Sequence, residues 1–445
     1  MLKTFPKGGI HPAENKYSTD KVIVKLPIPK TVSIILSQHF GAPASPVVER
    51  NDKVKVGQLI AKSEGFISAN IHSSVSGTVV KIGEVMDSSG YKQKAVVINV
   101  NGDEWDESID VSPDLEKEIK LSPEEIIKKV HQSGVVGLGG AAFPAYVKLS
   151  VPKGKKADVF ILNGVECEPY LTSDHRLMLE KGEEILIGVR IIMKALNVNN
   201  ALIGIENNKQ DAIKHLTELS KDYEGIEVHS LKVKYPQGAE KQLIKTLINR
   251  EVPSGGLPID VGTVVHNVGT TYAIYEAIQK NKPLIERVVT VTGKSLSKPS
   301  NFLTRIGTSV SELIEAAGGL PDDTGKIISG GPMMGKALNI ADVPVTKGTS
   351  GILILPQIES KRREEKNCIR CAKCVSVCPL GLEPYLLMTS SQKAMFDMAE
   401  EEKVLDCMEC GSCSFICPSD RPLLDYIRFG KTSVTKIIRS RKEHE

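Results

Sequence analysis

The chain has 445 residues, room for about three domains at roughly 150 residues each. Its 41% hydrophobic and 25% charged content is that of an ordinary globular protein and excludes a disordered chain, collagen or a coiled-coil rod. Fifty-seven Lys and Arg against 54 Asp and Glu leave +3, which gives nucleic acid no electrostatic reason to bind.

The N-terminal stretch MLKTFPKGGIHP has no apolar h-region, and no run approaches about 18 consecutive apolar residues. Neither a signal peptide nor a transmembrane helix is expected, and the chain is expected to stay in the cytoplasm. Residues 1–30 are rich in Pro, Lys and Gly and are expected to wrap another surface. Residues 31–105 carry short alternating β patterns, and KVKVGQLIAKSEGFISANIHSSVSGTVVKI resembles a barrel-sandwich of the biotinyl/lipoyl type. The hairpin tip falls at about Phe66, where no lysine stands, so a swinging-arm carrier is not expected. Residues 106–120 are acidic and polar, a linker.

A helix follows, with Ser122 as N-cap, Pro123 at its first position and Glu125 completing a capping box. Apolar strand runs (DVFILNGVE, ALIGIE) then alternate with helical patterns, predicting an α/β domain over 121–285. Residues 286–355 return to β patterning around a short helix, in an order that resembles a β-grasp module. Helical spacing of Leu, Met and Phe fills the segment between two cysteine runs in 356–430. The basic tail 431–445 reads as a solvated end, with docking to a partner or an anionic membrane surface as the alternative.

Two loops stand out in the α/β region. Gly137-Leu138-Gly139-Gly140-Ala141-Ala142 contains GxGxxA but follows a helical pattern, not a strand, so it departs from the standard dinucleotide turn. Missing side chains at Gly137, Gly139 and Gly140 still let the backbone approach a flat ring or a phosphate, and Lys148 can neutralise that phosphate. NGVECEPYLTSDHR follows a buried strand, which places Asn163, Glu166 and Glu168 where open α/β sheets bind ligands. His266 and Asn267 precede a helix start that includes Thr270, a further anion site. Cys167 reads as a buried, inert thiol. Gly293-Lys294-Ser295 is not a P-loop, because Val288 stands where a glycine is required.

Eight of the nine cysteines lie between Cys368 and Cys417. CIRCAKCVSVCP and CMECGSCSFICP each have the ferredoxin spacing C-x2-C-x2-C-x3-C-P. That spacing assigns one 4Fe-4S cluster to Cys368, Cys371, Cys374 and Cys417, and a second to Cys407, Cys410, Cys413 and Cys378. Zinc and disulfides are the alternatives; zinc needs only four thiolates, usually as two CxxC pairs.

GLGGAAFP, NGVECEPY, PQGAEKQLI, VVHNVGTTYA and SGGPMMG, with the cysteine runs, resemble the RnfC family. GGIHP and LSQHFGAPASPVV extend the resemblance over nearly the whole chain. It implies an electron-input subunit of a membrane ferredoxin:NAD oxidoreductase that uses NAD(H), FMN and two 4Fe-4S clusters. The implied architecture is multidomain α/β plus β: a barrel-sandwich hybrid, a Rossmann-like flavin/NADH domain, a β-grasp module and a helical two-cluster ferredoxin domain. The middle is also similar to the flavin- and NADH-binding subunit of respiratory complex I. Through that relative, Gly137, Gly140, Lys148, Asn163, Glu166, Asn267 and Thr270 fall at FMN positions. Phe143 falls where an aromatic ring stacks on the nicotinamide nucleotide, and Glu168 and Glu240 at NADH contacts. Leu138, Val165, Ala239 and His266 depart from the Arg, Asp, Glu and Asn of that pattern. The implied partners are other Rnf subunits, membrane and ferredoxin-type, with peripheral attachment to the cytoplasmic face of the bacterial cell membrane. The alternatives are a soluble flavin/iron–sulfur reductase, such as a corrinoid reductase, and a non-enzymatic iron–sulfur relay.

Overall fold

A computed structural model describes residues 2–443. No helix among them is long and apolar enough to cross a membrane. Strands Thr31–Ile35, Lys92–Val100, Gly77–Met86 and Lys53–Val54 form one antiparallel sheet, and Ser45–Pro46, Leu59–Lys62 and Ile71–His72 form another. Alternation buries Val32, Ile34, Val96 and Ile98 of the first sheet with Ile60 and Ile71 of the second in one core. The loop from Lys62 to Ile71 is a hairpin tip with Phe66 65% exposed; its ring packs edge-on against Tyr146, centroids 6.1 Å apart.

The helix Pro123–Gln132 opens the α/β region. Ser122 Oγ accepts from the Glu125 amide, and the Glu125 carboxylate accepts from the Ser122 amide at 2.8 Å. Four parallel strands follow, in spatial order Ile226–Leu231, Ala201–Glu206, Val159–Gly164, Thr263–Asn267. Helices cover both faces, so the strands are near-continuous apolar runs. The chain leaves Val159–Gly164 toward one side and returns on the other at Thr263–Asn267. A topological switch point therefore lies between their C-terminal ends, where such sheets bind ligands.

A six-stranded mixed sheet comes next, in the order Ile23–Lys25, Ser300–Arg305, Glu286–Thr292, Gly351–Pro356, Thr324–Ser329, Lys336–Ala337. One edge strand comes from the N-terminal segment, so the module is not confined to 286–355. The same segment bridges Lys3 to Leu231 and Ile10 to Tyr235, and so wraps the α/β region as well.

The C-terminal region is helical: Lys373–Ser376, Pro384–Gln392, Phe396–Glu401, Ser412–Ile416 and Leu423–Glu443. Contrary to the expectation of a separate solvated tail over 431–445, residues 431–443 continue the last helix. Ile427, Val434 and Ile438 form an apolar stripe packed on Leu387 and Met388. Residues 444–445 lie outside the described residues.

Candidate functional site

Asn267 ends its strand and caps the helix Val268–Gln279. Its Oδ1 accepts from the Gly269 amide at 2.8 Å and the Thr270 amide at 3.3 Å, while its Nδ2 donates to Asp174 at 2.6 Å. Thr270 Oγ1 accepts from the Leu138 amide at 2.8 Å, which ties the glycine loop to this helix start. The Gly137 amide closes the loop onto the Phe143 carbonyl at 2.8 Å. Gly139 lies against Asn267, where a Cβ would come within 3.2 Å of the Asn267 side chain. Gly140 has φ +117° with open space on its Cβ side. Phe143 meets the exposed Phe40 ring of the barrel-sandwich, centroids 5.8 Å apart. Gly137, Gly139, Gly140, Phe143, Asn267 and Thr270 thus gather at the switch point, where an open α/β sheet leaves a crevice. It joins an open backbone face to a helix N-terminus, the combination that cradles an anion or a flat ring.

Asn163 pairs in register with Asn267 on the neighbouring strand; its Nδ2 donates to the Gly238 carbonyl at 2.8 Å. Lys148 Nζ donates to the Glu240 carboxylate and to the Val265 carbonyl at 3.1 Å. These groups bring the 237–241 turn to the same crevice. His266 does not join them. Successive strand residues face opposite ways, and His266 packs toward Phe160 with its Nε2 unpartnered. Burial, aided by the Lys148 charge, pushes its pKa down to about 3, so it is a neutral core ring.

The acidic loop is more structural than its sequence suggests. Glu166 accepts from Ser173 Oγ (3.1 Å) and the amides of Asp174 (3.0 Å) and His175 (3.2 Å), capping the helix Ser173–Glu180. Glu168 accepts from the amides of Met333 (3.1 Å) and Met334 (2.8 Å) in the SGGPMMG turn, tying the α/β region to the six-stranded sheet. Burial pushes Glu168 up to about 7. Asp174, beside Asn267, is raised by burial and by the neighbouring Glu166 charge. Three groups here carried no signal of function in the sequence. Lys16 Nζ donates to the carbonyls of Glu166 (2.8 Å), Glu168 (2.9 Å) and Leu171 (2.6 Å). Arg287 donates to the Leu138 carbonyl at 3.3 Å and to that of Lys347. Lys347 Nζ in turn donates to the Asn70 and Gly134 carbonyls. Cys167 is half-buried rather than buried, and desolvation raises its thiol far above the usual range.

The two cysteine runs cross at one place: the last cysteine of the first run joins the first three of the second. Cys378 lines a cavity with Cys407, Cys410 and Cys413, walled by Leu387, Met408 and Ile427. Burial and mutual charge push Cys407 up to about 11 and Cys413 up to about 12. Four converging thiols in an apolar wall are the donor chemistry of an iron–sulfur cube, whose irons take up the thiolate charge. Cys417 lies near enough to Cys374 for its charge to raise that thiol. Cys368 and Cys371 are exposed. The Cys378 set abuts the α/β region: Gln242 donates to the Pro379 carbonyl (3.2 Å), Tyr235 to the Cys410 carbonyl (2.8 Å), and the Gly9 amide to the Val377 carbonyl (2.8 Å).

Known families match in the same order. Residues 3–103 match the RnfC barrel sandwich hybrid domain and 130–276 the Nuo51 FMN-binding domain. Residues 288–337 match the SLBB domain and 360–418 the 4Fe-4S dicluster domain. A subunit of the proton-translocating ferredoxin:NAD+ oxidoreductase complex of Clostridium ljungdahlii is 50% identical over 97% of this chain and 94% of that protein. Its Na+-translocating counterpart of Acetobacterium woodii is 45% identical over 96% of each. The corresponding protein of the ion-translocating oxidoreductase complex of Rhodobacter capsulatus is 39% identical over all of this chain and 86% of that protein. With half its residues identical to the first of these over nearly its full length, the chain belongs to the RnfC family of ion-translocating ferredoxin:NAD+ oxidoreductase subunits.

Proposed function

We propose that this chain is the electron-input subunit of an ion-translocating ferredoxin:NAD+ oxidoreductase, exchanging hydride with NADH at the switch-point crevice. The observation that carries the reading is the union, in one chain of this family, of that glycine loop and helix start with a crossed cysteine set seated against the α/β region. FMN, when bound, supplies the conversion between a two-electron hydride and the single electrons that iron–sulfur clusters carry. The residues do the rest. Loop amides around Gly139 and Gly140, the helix start at Thr270 and the Lys148 ammonium hold the flavin and its phosphate. Asn163 and Asn267 orient its edge, and Phe143 offers a ring for the nicotinamide nucleotide. Lys148 and Glu240 neutralise one another until a ligand enters. Cys378, Cys407, Cys410 and Cys413 hold one 4Fe-4S cluster, and Cys368, Cys371, Cys374 and Cys417 the other. Partner subunits hold the chain at the cytoplasmic face of the membrane as a peripheral component.

The test is the visible spectrum of anaerobically purified protein before and after NADH. A flavin band and broad iron–sulfur absorbance, both bleached by NADH, are expected. Iron–sulfur absorbance without flavin or bleaching would make the chain a relay and would remove the crevice residues from the reaction.

A further inference from the structure

The two cysteine sets differ in their surroundings. The Cys378 set is enclosed: Cys410 and Cys413 are buried, and Ile10, Tyr235 and Met333 pack against its edge. The Cys368 set opens outward, with Cys368 and Cys371 exposed and Ile369 between them 67% exposed. The sets are adjacent, because Cys374 and Cys378 bracket one turn of chain at the helix Lys373–Ser376 while Cys413 and Cys417 bracket another at Ser412–Ile416. These two short helices touch. Electrons from the crevice therefore meet the enclosed set first and reach solvent at the Cys368 set.

The surface around that outer set is basic. Residues 361–373 hold six cations and two carboxylates. Arg362 pairs with Asp425, Arg363 with Asp420, and Glu365 is taken by Arg421. Lys361, Lys366, Arg370 and Lys373 are exposed and make no ion pair among the described residues. Three of these four stand within two residues of Cys368 or Cys371. Glu364 is exposed and unpaired as well, so unpaired cations outnumber unpaired carboxylates four to one in this segment; a small apolar centre, Ile369, with a net-basic rim is the layout of a transient, electrostatically steered contact.

We propose that this rim is the electron-exit surface and that it docks an acidic one-electron carrier protein over Cys368 and Cys371. The inference rests on the iron–sulfur part of the proposed function. One electron leaves the outer cluster, which is oxidised, and the carrier is reduced by one; no bond forms and no proton moves. An anionic lipid would satisfy the same cations but accepts no electron, and the cations centre on the two exposed ligands.

The experiment uses the full chain, loaded with iron and sulfide and reduced by dithionite, so that a missing flavin or a failure to oxidise NADH does not enter. Stopped-flow mixing measures the second-order rate with an acidic two-cluster ferredoxin and with basic cytochrome c. The rate with ferredoxin is expected to fall roughly tenfold or more between about 20 and 200 mM salt, and the rate with cytochrome c to rise. Lys366→Glu/Arg370→Glu/Lys373→Glu is expected to slow ferredoxin about tenfold and to speed cytochrome c, with iron content unchanged. If that variant loses iron, Lys366→Gln/Lys373→Gln and the salt dependence of the unaltered chain decide. Ferredoxin rates indifferent to salt and to the substitutions would overturn the proposal. So would loss of sedimentation with phosphatidylglycerol-containing vesicles in the variant while its ferredoxin rate stays unchanged, since the rim would then be a lipid contact.

Discussion

Lys16→Met removes the ammonium that holds three backbone carbonyls of the acidic loop. Each carbonyl left without a donor costs about 1–3 kcal/mol. Against this stands the desolvation of a half-buried cation, which already lowers the pKa of Lys16 and which the substitution relieves. The balance is a local loss of about 3 kcal/mol, or roughly 100-fold in the opening equilibrium of residues 166–171. Hydrogen exchange on that segment reads it directly. Protection is expected to fall by that factor there while the strand Ala201–Glu206 keeps its own. Flavin affinity should fall with it, because Glu166 and the loop it caps flank the crevice. Unchanged protection over 166–171 would refute the reasoning, since it would mean that the caps of Glu166 and Glu168 hold the loop without Lys16.

Glu168 gives a pH prediction. Its folded pKa of about 7 lies above the ordinary 4.5, so its contribution to stability is complete below about 4.5 and is lost as pH rises to about 7. Glu168→Gln should therefore gain stability relative to the parent chain between pH 5 and pH 8, by up to about 3 kcal/mol; paired thermal melts at both pH values check it, and a constant difference counts against the assignment. Cys378→Ser should strip the enclosed set and Cys417→Ser the exposed one, each leaving about four of eight irons; uncrossed ligation would give the opposite pairing of lost electron-resonance signals with residues. Gly140→Ala places a side chain at φ +117°, a strain of about 1–3 kcal/mol, and should lower flavin content with little effect on iron.

The features legible in the sequence are those written in short windows. The Ser122–Glu125 capping box spans four residues, the parallel strands are unbroken apolar runs, and the glycine loop and the cysteine spacing are contiguous. What stays hidden depends on distant partners. Lys16 meets its carbonyls across about 150 positions, and the strand Ile23–Lys25 exists only because Ser300–Arg305 offers an edge. Glu168 sits in an acidic motif, yet both its oxygens are taken by a turn 165 residues away. His266 adjoins Asn267 in the chain, but one step of strand alternation turns it into the core while Asn267 faces the crevice. The last helix resembles a loose end in sequence because its apolar stripe is thin and its remaining residues are basic and polar.

The N-terminal segment has a consequence for how the protein is made. A Cβ at Gly8 would lie 2.5 Å from the Val377 carbonyl, and the Gly9 amide bonds to that same carbonyl. The two sites are 368 residues apart in the chain. At 5–20 residues per second a ribosome needs roughly 20–70 s to cover that distance. During that interval residues 2–10 have their contacts near Leu231 and Tyr235 to settle on. Their last contact forms when the Val377–Cys378 turn emerges, so closing the N-terminus onto that turn is a late step in assembly. Holo-protein yield should therefore suffer when the Gly8–Gly9 contact with that turn is blocked, as by Gly8→Val.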